Sequence, residues 1–258
     1  MSQVHQDAAV GFDRGAADYE RGRPGYPDAA IALVARKLGI TPGQRVLDLA
    51  AGTGKLTRSL LGLGAELVAV EPVAGMREQL RRAVPGVDAR DGTAEQIPLD
   101  DASVDAALVA QAFHWFDVPA AAAEIHRVLV PGGGLAVIRN EWDRTVPWVD
   151  ALQRLVREQP GHAPRHPSSD WQARLQDTEL FTPLSERVLP NLLPGDLDTL
   201  LARVASLSFI AAMPASPRQR LLAEVARLVD EQGIVAPDGS LETPYRTHVK
   251  WCRRAEHR

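Results

Sequence analysis

The run Val46-Leu47-Asp48-Leu49-Ala50-Ala51-Gly52-Thr53-Gly54 carries the clearest chemical signal in the chain: an acid inside an apolar stretch, then two glycines one residue apart. Glycine adopts backbone dihedrals closed to other residues and lets a ligand approach the main chain closely. Glu71 stands about 20 residues beyond that turn, at the end of a second apolar stretch. An acid there can accept hydrogen bonds from two ribose hydroxyls. The pair reads as a site for a nucleoside-bearing ligand; a tight turn with a chance acid is the plainer alternative. A pyrophosphate binder would show Gly-x-Gly-x-x-Gly, but Ala50 and Thr57 occupy the positions where further glycines would stand. Asp48 would also repel a pyrophosphate, whereas it suits a ligand that carries a cationic group.

Other candidates are less specific. His114 follows the apolar run Val104 to Ala110. Its imidazole can take a proton near neutral pH, so it is a candidate general base, with pocket shaping or substrate binding as the alternative. Glu141 and Asp143 follow the next apolar run and are candidates for substrate contact. Trp115, Phe116, Trp142, Trp148 and Trp171 can line an apolar pocket or fill ordinary core. His162 and His166 share a loop, but Pro164 and Pro167 argue against the helix that would aim both at a metal, and no metal is expected. Cys252, the single cysteine, has no motif around it and excludes an internal disulfide, which fits a reducing, cytoplasmic setting.

The elements that must position these residues follow from periodicity. Helices are predicted over Pro27–Leu38, Lys55–Leu63, Ala74–Val84 and Pro119–Leu129, and strands over Arg45–Leu49, Glu66–Val70, Val87–Arg90, Val104–Ala110 and Leu135–Ile138, the last fed by a turn at Pro131-Gly132-Gly133-Gly134. Farther on, Trp148–Glu158 reads as a helix, Pro160–Pro167 as a loop, Trp171–Gln176 as a short helical or irregular piece and Glu186–Leu192 as a strand. A helix opens at Gly195-Asp196, another at Ser216-Pro217 with serine as N-cap, and Leu241–Arg253 is a final strand. Strands apolar on both faces, alternating with helices, imply a parallel sheet covered on both sides.

At this point the sequence resembles the class I S-adenosylmethionine-dependent methyltransferases, over about residues 10 to 140. Val46 to Leu56 is similar to the family's first motif. Asp91-Gly92-Thr93-Ala94-Glu95 with Ile97-Pro98 is similar to its adenine-binding segment. Ser103-Val104-Asp105 leading to Gln111-Ala112-Phe113-His114-Trp115-Phe116 resembles the fourth-strand region of the ubiquinone-biosynthesis and trans-aconitate methyltransferase-like branches. Glu124 to Gly133 looks like the turn into the fifth strand, and Tyr19, Arg23-Pro24 and Tyr26-Pro27 like the N-terminal gating segment. Two positions depart from the pattern: Ala50 replaces the commonest first glycine, and Thr93 stands where many relatives carry Asp.

The resemblance implies an α/β Rossmann-like fold: a seven-stranded mostly parallel sheet with helices on both faces and additional helices capping the active site. It implies S-adenosyl-L-methionine as cofactor. The backbone of Ala50, Ala51, Gly52, Thr53 and Gly54 would face the methionyl moiety, with Asp48 orienting it. Glu71 would hold the ribose, Pro72 and Met76 would pack on the adenine, and Thr93, Ala94 and Glu95 would flank its polar edge. Gln111 and Ala112 would face the sulfonium and amino group, while Tyr19 and Arg23 close over the carboxylate. His114 is the candidate catalytic residue.

Charge and composition narrow the partners. Twenty-nine basic against 33 acidic residues leave a net charge of −4, with no basic stripe for nucleic acid or an anionic membrane. No apolar run reaches the roughly 18 residues that span a bilayer, and no N-terminal secretory signal is expected. Residues 111 to 114 do not spell the Asn/Asp-Pro-Pro-Tyr of relatives that methylate nucleobase or protein amide nitrogens. The expectation is therefore methyl transfer to an oxygen, carbon or nitrogen of a small molecule, with secondary metabolism as one setting. Competing readings are an NAD-dependent oxidoreductase, and a cofactor-binding protein of the same fold that acts as a cyclase or regulatory module. The excess of Arg over Lys, with abundant Ala, Gly and Pro, suggests a GC-rich bacterial source. A single domain is expected over 1–258: a gating segment at 1–39, a cofactor core at 40–140, and acceptor-pocket helices with the final strands at 141–258.

Overall fold

A computed structural model of the chain describes residues 24–159 and 170–256. Its elements, in chain order, are α1 (Asp28–Leu38), β1 (Arg45–Leu49), α2 (Lys55–Leu60), a 3-10 turn (Leu61–Leu63), β2 (Glu66–Val70), α3 (Ala74–Ala83), β3 (Asp88–Arg90), β4 (Val104–Ala110), a second 3-10 turn (Phe113–Trp115), α4 (Val118–Val128), β5 (Leu129–Trp142), α5 (Pro147–Arg157), α6 (Trp171–Gln176), β6 (Ser185–Gly195), α7 (Leu197–Ala205), α8 (Ser208–Ala211), α9 (Ala215–Glu231) and β7 (Leu241–Arg253). The seven strands form one sheet in the order β3-β2-β1-β4-β5-β7-β6. Strands β3, β2, β1, β4 and β5 run parallel, with Leu49 opposite Val70 on one side and Val109 on the other. The fold is the expected Rossmann-like α/β architecture.

Two compact units divide the described residues. The first holds 26–139, 170–189 and 247–256. Its strands bury alternate residues on opposite faces, as a period of two requires. Leu47, Leu49, Val68, Val70, Ala107 and Val109 join a core with Val118, Ala121, Ala122, Ile125 and Val128 of α4 and Trp171 and Leu175 of α6. Val46, Ala106 and Leu108 turn the other way, toward Ile31, Val34 and Leu38 of α1 and Leu56 and Leu60 of α2. Helix α3 packs through Leu80 onto Ala51 and Ala69. The sheet is thus covered on both faces, which is why its strands read as unbroken apolar runs.

The second unit holds 24–25, 140–159 and 190–246. Trp148, Val149 and Leu152 of α5, Leu200 and Val204 of α7, Ile210 of α8 and Leu221, Val225 and Val229 of α9 form its core. Asp196 caps α7, accepting from the Thr199 backbone N–H at 2.8 Å. Ser216 does not cap α9. That helix begins at Ala215 after Pro214, and the Ser216 hydroxyl instead accepts from the Arg220 guanidinium at 2.7 Å. The turn expected at Pro131 to Gly134 lies inside β5: pairing with β4 jumps from Val104–Leu129 to Ala106–Gly134, so those residues form a bulge at the strand's entry. Among the described residues no helix is long and apolar enough to cross a membrane.

Candidate functional site

The loops that follow β1, β2, β3 and β4 leave the same edge of the sheet, because those four strands are parallel and in register at their carboxyl ends. Chain order reverses between β1 and β4, and a crevice at such a switch point is where open α/β sheets take their ligands. The backbone there is unusual. Ala50 and Gln111, the first residues past β1 and β4, both lie in the left-handed region at φ 58° and 60°. A non-glycine residue there costs about 1–2 kcal/mol, and such strain concentrates at ligand sites. Gly54 requires its glycine twice over: its φ is 84°, and an added Cβ would sit 3.1 Å from Cγ of Leu80 on α3.

Glu71, just past β2, is buried, and backbone donors fix its carboxylate. The Gly52 N–H donates to Oε2 and the Val73 N–H to Oε1, each at 2.9 Å. The glycine loop and the acid are therefore in direct contact. Asp48 is fully buried inside β1. Its Oδ2 accepts from the Thr57 hydroxyl of α2 at 2.6 Å, while its Oδ1 is buried with no hydrogen-bond partner. Burial pushes the Asp48 carboxyl up to about 7; the Thr57 bond opposes that rise and the Glu71 charge adds to it. A buried acceptor without a donor is costly, so Asp48 fits a ligand that supplies a cationic donor.

The remaining candidates take more varied positions. Pro72 and Met76 are half-buried at the start and first turn of the α3 segment. After β3, Thr93 and Gln96 exchange two backbone bonds of 3.3 Å, Ala94 is buried in the core, and the Glu95 carboxylate accepts from the Asp117 N–H at 3.0 Å. The Ala94 side chain is thus core rather than surface. Gln111 and Ala112 are half-buried, and the Gln111 N–H donates to Ile138 O at 3.0 Å. His114 sits half-buried on the 3-10 turn, its ring 4.9 Å from that of Trp115, which is 50% exposed. Tyr19, Arg23, His162 and His166 lie outside the described residues.

Several aromatic candidates are core. Phe116 and Trp171 pack on Phe113 at ring distances of 5.3 and 4.7 Å, and Trp148 is buried among the helices of the second unit. The Asp143 carboxylate turns inward to Thr145, accepting from its N–H at 3.0 Å and its hydroxyl at 2.6 Å. Burial pushes the Cys252 thiol up to about 12, so it holds no thiolate near neutral pH. Among the described residues no three metal-ligating side chains cluster.

Three residues of this site have structural roles that sequence reasoning did not assign. Thr57 is one; its signal is a polar residue on the buried face of α2, between Leu56 and Leu60. Arg77 is another: its Nη1 donates to Glu71 O at 2.7 Å, Pro72 O at 2.8 Å and Asp91 Oδ1 at 3.0 Å, tying the loops after β2 and β3 together. The third, Gly92, has no room for a side chain, since an added Cβ would lie 2.5 Å from Pro98 Cδ.

Residues 47–137 match the methyltransferase domain family. An uncharacterized methyltransferase of Mycobacterium tuberculosis is 38% identical over 255 residues, covering 99% of this chain and 99% of that protein. An uncharacterized methyltransferase-like protein of Schizosaccharomyces pombe is 34% identical, covering 92% of each. This chain belongs to the class I S-adenosylmethionine-dependent methyltransferases. The solved structure of a provisionally named type II methyltransferase from Anaeromyxobacter dehalogenans superposes with a TM-score of 0.67 at 27% identity, over 91% of this chain and 99% of that one. The matched methyltransferase segment begins within β1 and ends within β5, so it contains the glycine loop, Glu71 and the loops after β3 and β4.

Proposed function

We propose that this methyltransferase binds S-adenosyl-L-methionine at the carboxyl ends of β1, β2, β3 and β4 and transfers its methyl group to a small-molecule acceptor. The observation that carries the reading is a set of two buried carboxylates on either side of the glycine loop: Asp48 with an unpartnered Oδ1, and Glu71 held by the Gly52 N–H. Asp48 suits the ammonium of the methionyl moiety. Glu71, its orientation fixed by two backbone donors, suits the ribose hydroxyls. Pro72 and Met76 supply apolar contact for the adenine. Tyr19 and Arg23 are assigned to the carboxylate from the family resemblance.

When bound, the cofactor supplies an electrophilic methyl group on a sulfonium. The protein then has to align the acceptor with it and exclude water. We assign to His114, past the end of β4 with Trp115 beside it, the role of taking the acceptor's proton or orienting the acceptor. The net charge of −4 and the sequence Gln111-Ala112-Phe113-His114 support a small acceptor over a nucleic acid or a protein amide.

Methyl-labelled cofactor incubated with the protein and fractionated metabolites tests this reading. Label in a low-molecular-weight product is expected. Label in nucleic acid or protein would overturn the acceptor class. Cofactor binding without any transfer would favour a binding module. No calorimetric heat or thermal shift with either S-adenosylmethionine or S-adenosylhomocysteine would overturn the reading altogether.

A further inference from the structure

Thr57 lies on α2, three residues past the glycine loop, at a position where helix packing alone would favour an apolar side chain: its neighbours Leu56 and Leu60 are buried, and Thr57 itself is fully buried. Its hydroxyl donates to Asp48 Oδ2 at 2.6 Å. Asp48 has apolar residues on either side in the sheet, Ala69 of β2 and Leu108 of β4. Among the described residues Glu71 is the charged group that acts on it, and Thr57 the side chain that bonds to it. One carboxylate oxygen is thus anchored, and the other has no hydrogen-bond partner.

We propose that Thr57 is a positioning residue for the cofactor, acting through Asp48, and that cofactor uptake at this site is coupled to release of a proton from the Asp48–Thr57 pair. This rests on the cofactor reading above. An alcohol donor to Oδ2 holds the carboxyl plane and directs the proton, when one is present, to Oδ1. A cationic ammonium is matched only by the ionised form, so binding expels that proton to solvent. Since burial brings the carboxyl up to about 7, the exchange falls within the ordinary working range of pH. The Thr57 hydrogen bond favours the ionised form, so removing it should push the exchange to higher pH.

The experiment is calorimetric titration with S-adenosylhomocysteine between pH 5.5 and 7.5, a range in which the ligand's own ammonium stays protonated. Buffers of different ionisation enthalpy count the protons released. For the wild type, affinity is expected to fall by up to about tenfold per pH unit below 7, with proton release approaching one at the acid end. Thr57→Val, close in shape but lacking the hydroxyl, should bind about tenfold or more weakly at pH 7 and reach its plateau at higher pH. Thr57→Ser should restore both. Asp48→Asn should flatten the pH profile and abolish the proton release, which provides a second reading if Thr57→Val fails to fold. Wild-type binding without proton release, or a folded Thr57→Val that binds with the wild-type profile, overturns the proposal and leaves the cofactor reading intact. No binding by the wild type overturns the cofactor reading itself.

Discussion

On the proposed reading Glu71 would have a double task, which changes what its removal should do. Its carboxylate accepts from the Gly52 and Val73 N–H groups, both at 2.9 Å, so it shapes the glycine loop before any ligand arrives. Glu71→Ala should weaken S-adenosylhomocysteine by roughly 1.5–3 kcal/mol, the worth of hydrogen bonds to a charged group. It should also lower stability, because two backbone donors lose their acceptor. Glu71→Gln, which keeps an acceptor oxygen, should restore more of the stability than of the affinity. Equal affinity in a folded Glu71→Ala would remove Glu71 from the ribose contact. Asp48 would show the opposite balance on the proposed reading, a group that serves binding at the expense of the fold. Its carboxyl is raised to about 7 from an ordinary value of 3.8. A raised folded-state value means that the protonated form is the stable one in the fold. The associated stability is fully present below the ordinary value and is lost as pH rises through about 7. The loss is at most roughly 4 kcal/mol for a group this buried. Urea denaturation of the ligand-free protein should therefore find Asp48→Asn gaining on the wild type as pH rises from 5 to 8, by roughly 2.5–3 kcal/mol. A pH-independent difference would show that Asp48 does not titrate in that range. The buried amide hydrogens of the new asparagine lower stability equally at both pH values, which is why the slope and not the offset is the test.

Among the elements, the βα loops that form the site depend on close approaches as much as on glycine's dihedrals. Gly92 makes the turn between β3 and the segment ending at Leu99, and an added Cβ would meet Pro98 Cδ at 2.5 Å and Val70 Cγ1 at 3.1 Å. Gly92→Ala should destabilise the fold by about 1–3 kcal/mol, as overpacking does, and should weaken cofactor through displacement of Thr93 to Glu95; urea melts with cofactor titration would check both. An unchanged midpoint would show that the Pro98 ring gives way freely. The strands were legible from their burial: β1, β2 and β4, largely covered on both faces, begin and end at the residues that hydrophobic runs mark in the sequence, and β7, with one face more buried than the other, begins and ends where an alternating pattern does. Loops bound by chemistry rather than by pattern were not. Glycines at 132 to 134 look like a turn, yet added Cβ atoms on Gly133 and Gly134 would run into Asp105 O and Cys252 O, both within 3.2 Å, so they mark close backbone packing inside β5. Ser216 carries the composition of an N-cap, but the helix starts one residue earlier, after Pro214. Helix α8 spans four residues, too few for a period to register. Thr57 and Arg77 escaped because their partners, Asp48 and the carbonyls of Glu71 and Pro72, are set by tertiary packing and leave no spacing rule.

For the molecule as a whole, the cofactor candidates that the structure describes all lie within 48–112, inside the first compact unit and inside the matched methyltransferase segment. The second unit has a helical core of its own around Leu152, Leu200 and Val225. On the cofactor reading proposed above, methyl-donor recognition would fall to this common frame and acceptor choice mainly to residues outside it. His114 is the sharpest place to test that division, because it sits on the first unit, in the loop after β4, yet none of the carried-over cofactor contacts falls on it. If it serves the acceptor, His114→Ala should leave the affinity for S-adenosylhomocysteine within about twofold of wild type, since the Asp48 and Glu71 contacts are intact. Turnover should fall by about 10²–10⁴-fold if the imidazole takes a proton, and by less if it only orients the acceptor. The two roles separate in His114→Gln, which keeps a polar group of similar reach but no base: rescue of turnover indicates orientation, and failure of rescue indicates proton transfer. The pH profile supplies a second reading: at saturating cofactor, where the Asp48 exchange no longer limits binding, a general base leaves an acid limb in kcat/KM for the acceptor that His114→Ala lacks. Single-turnover rates with the acceptor found by methyl labelling, set beside cofactor titrations of the same variants, measure both quantities. Parallel losses in rate and cofactor affinity would move His114 into the cofactor site, and a variant that keeps both would remove it from the reaction.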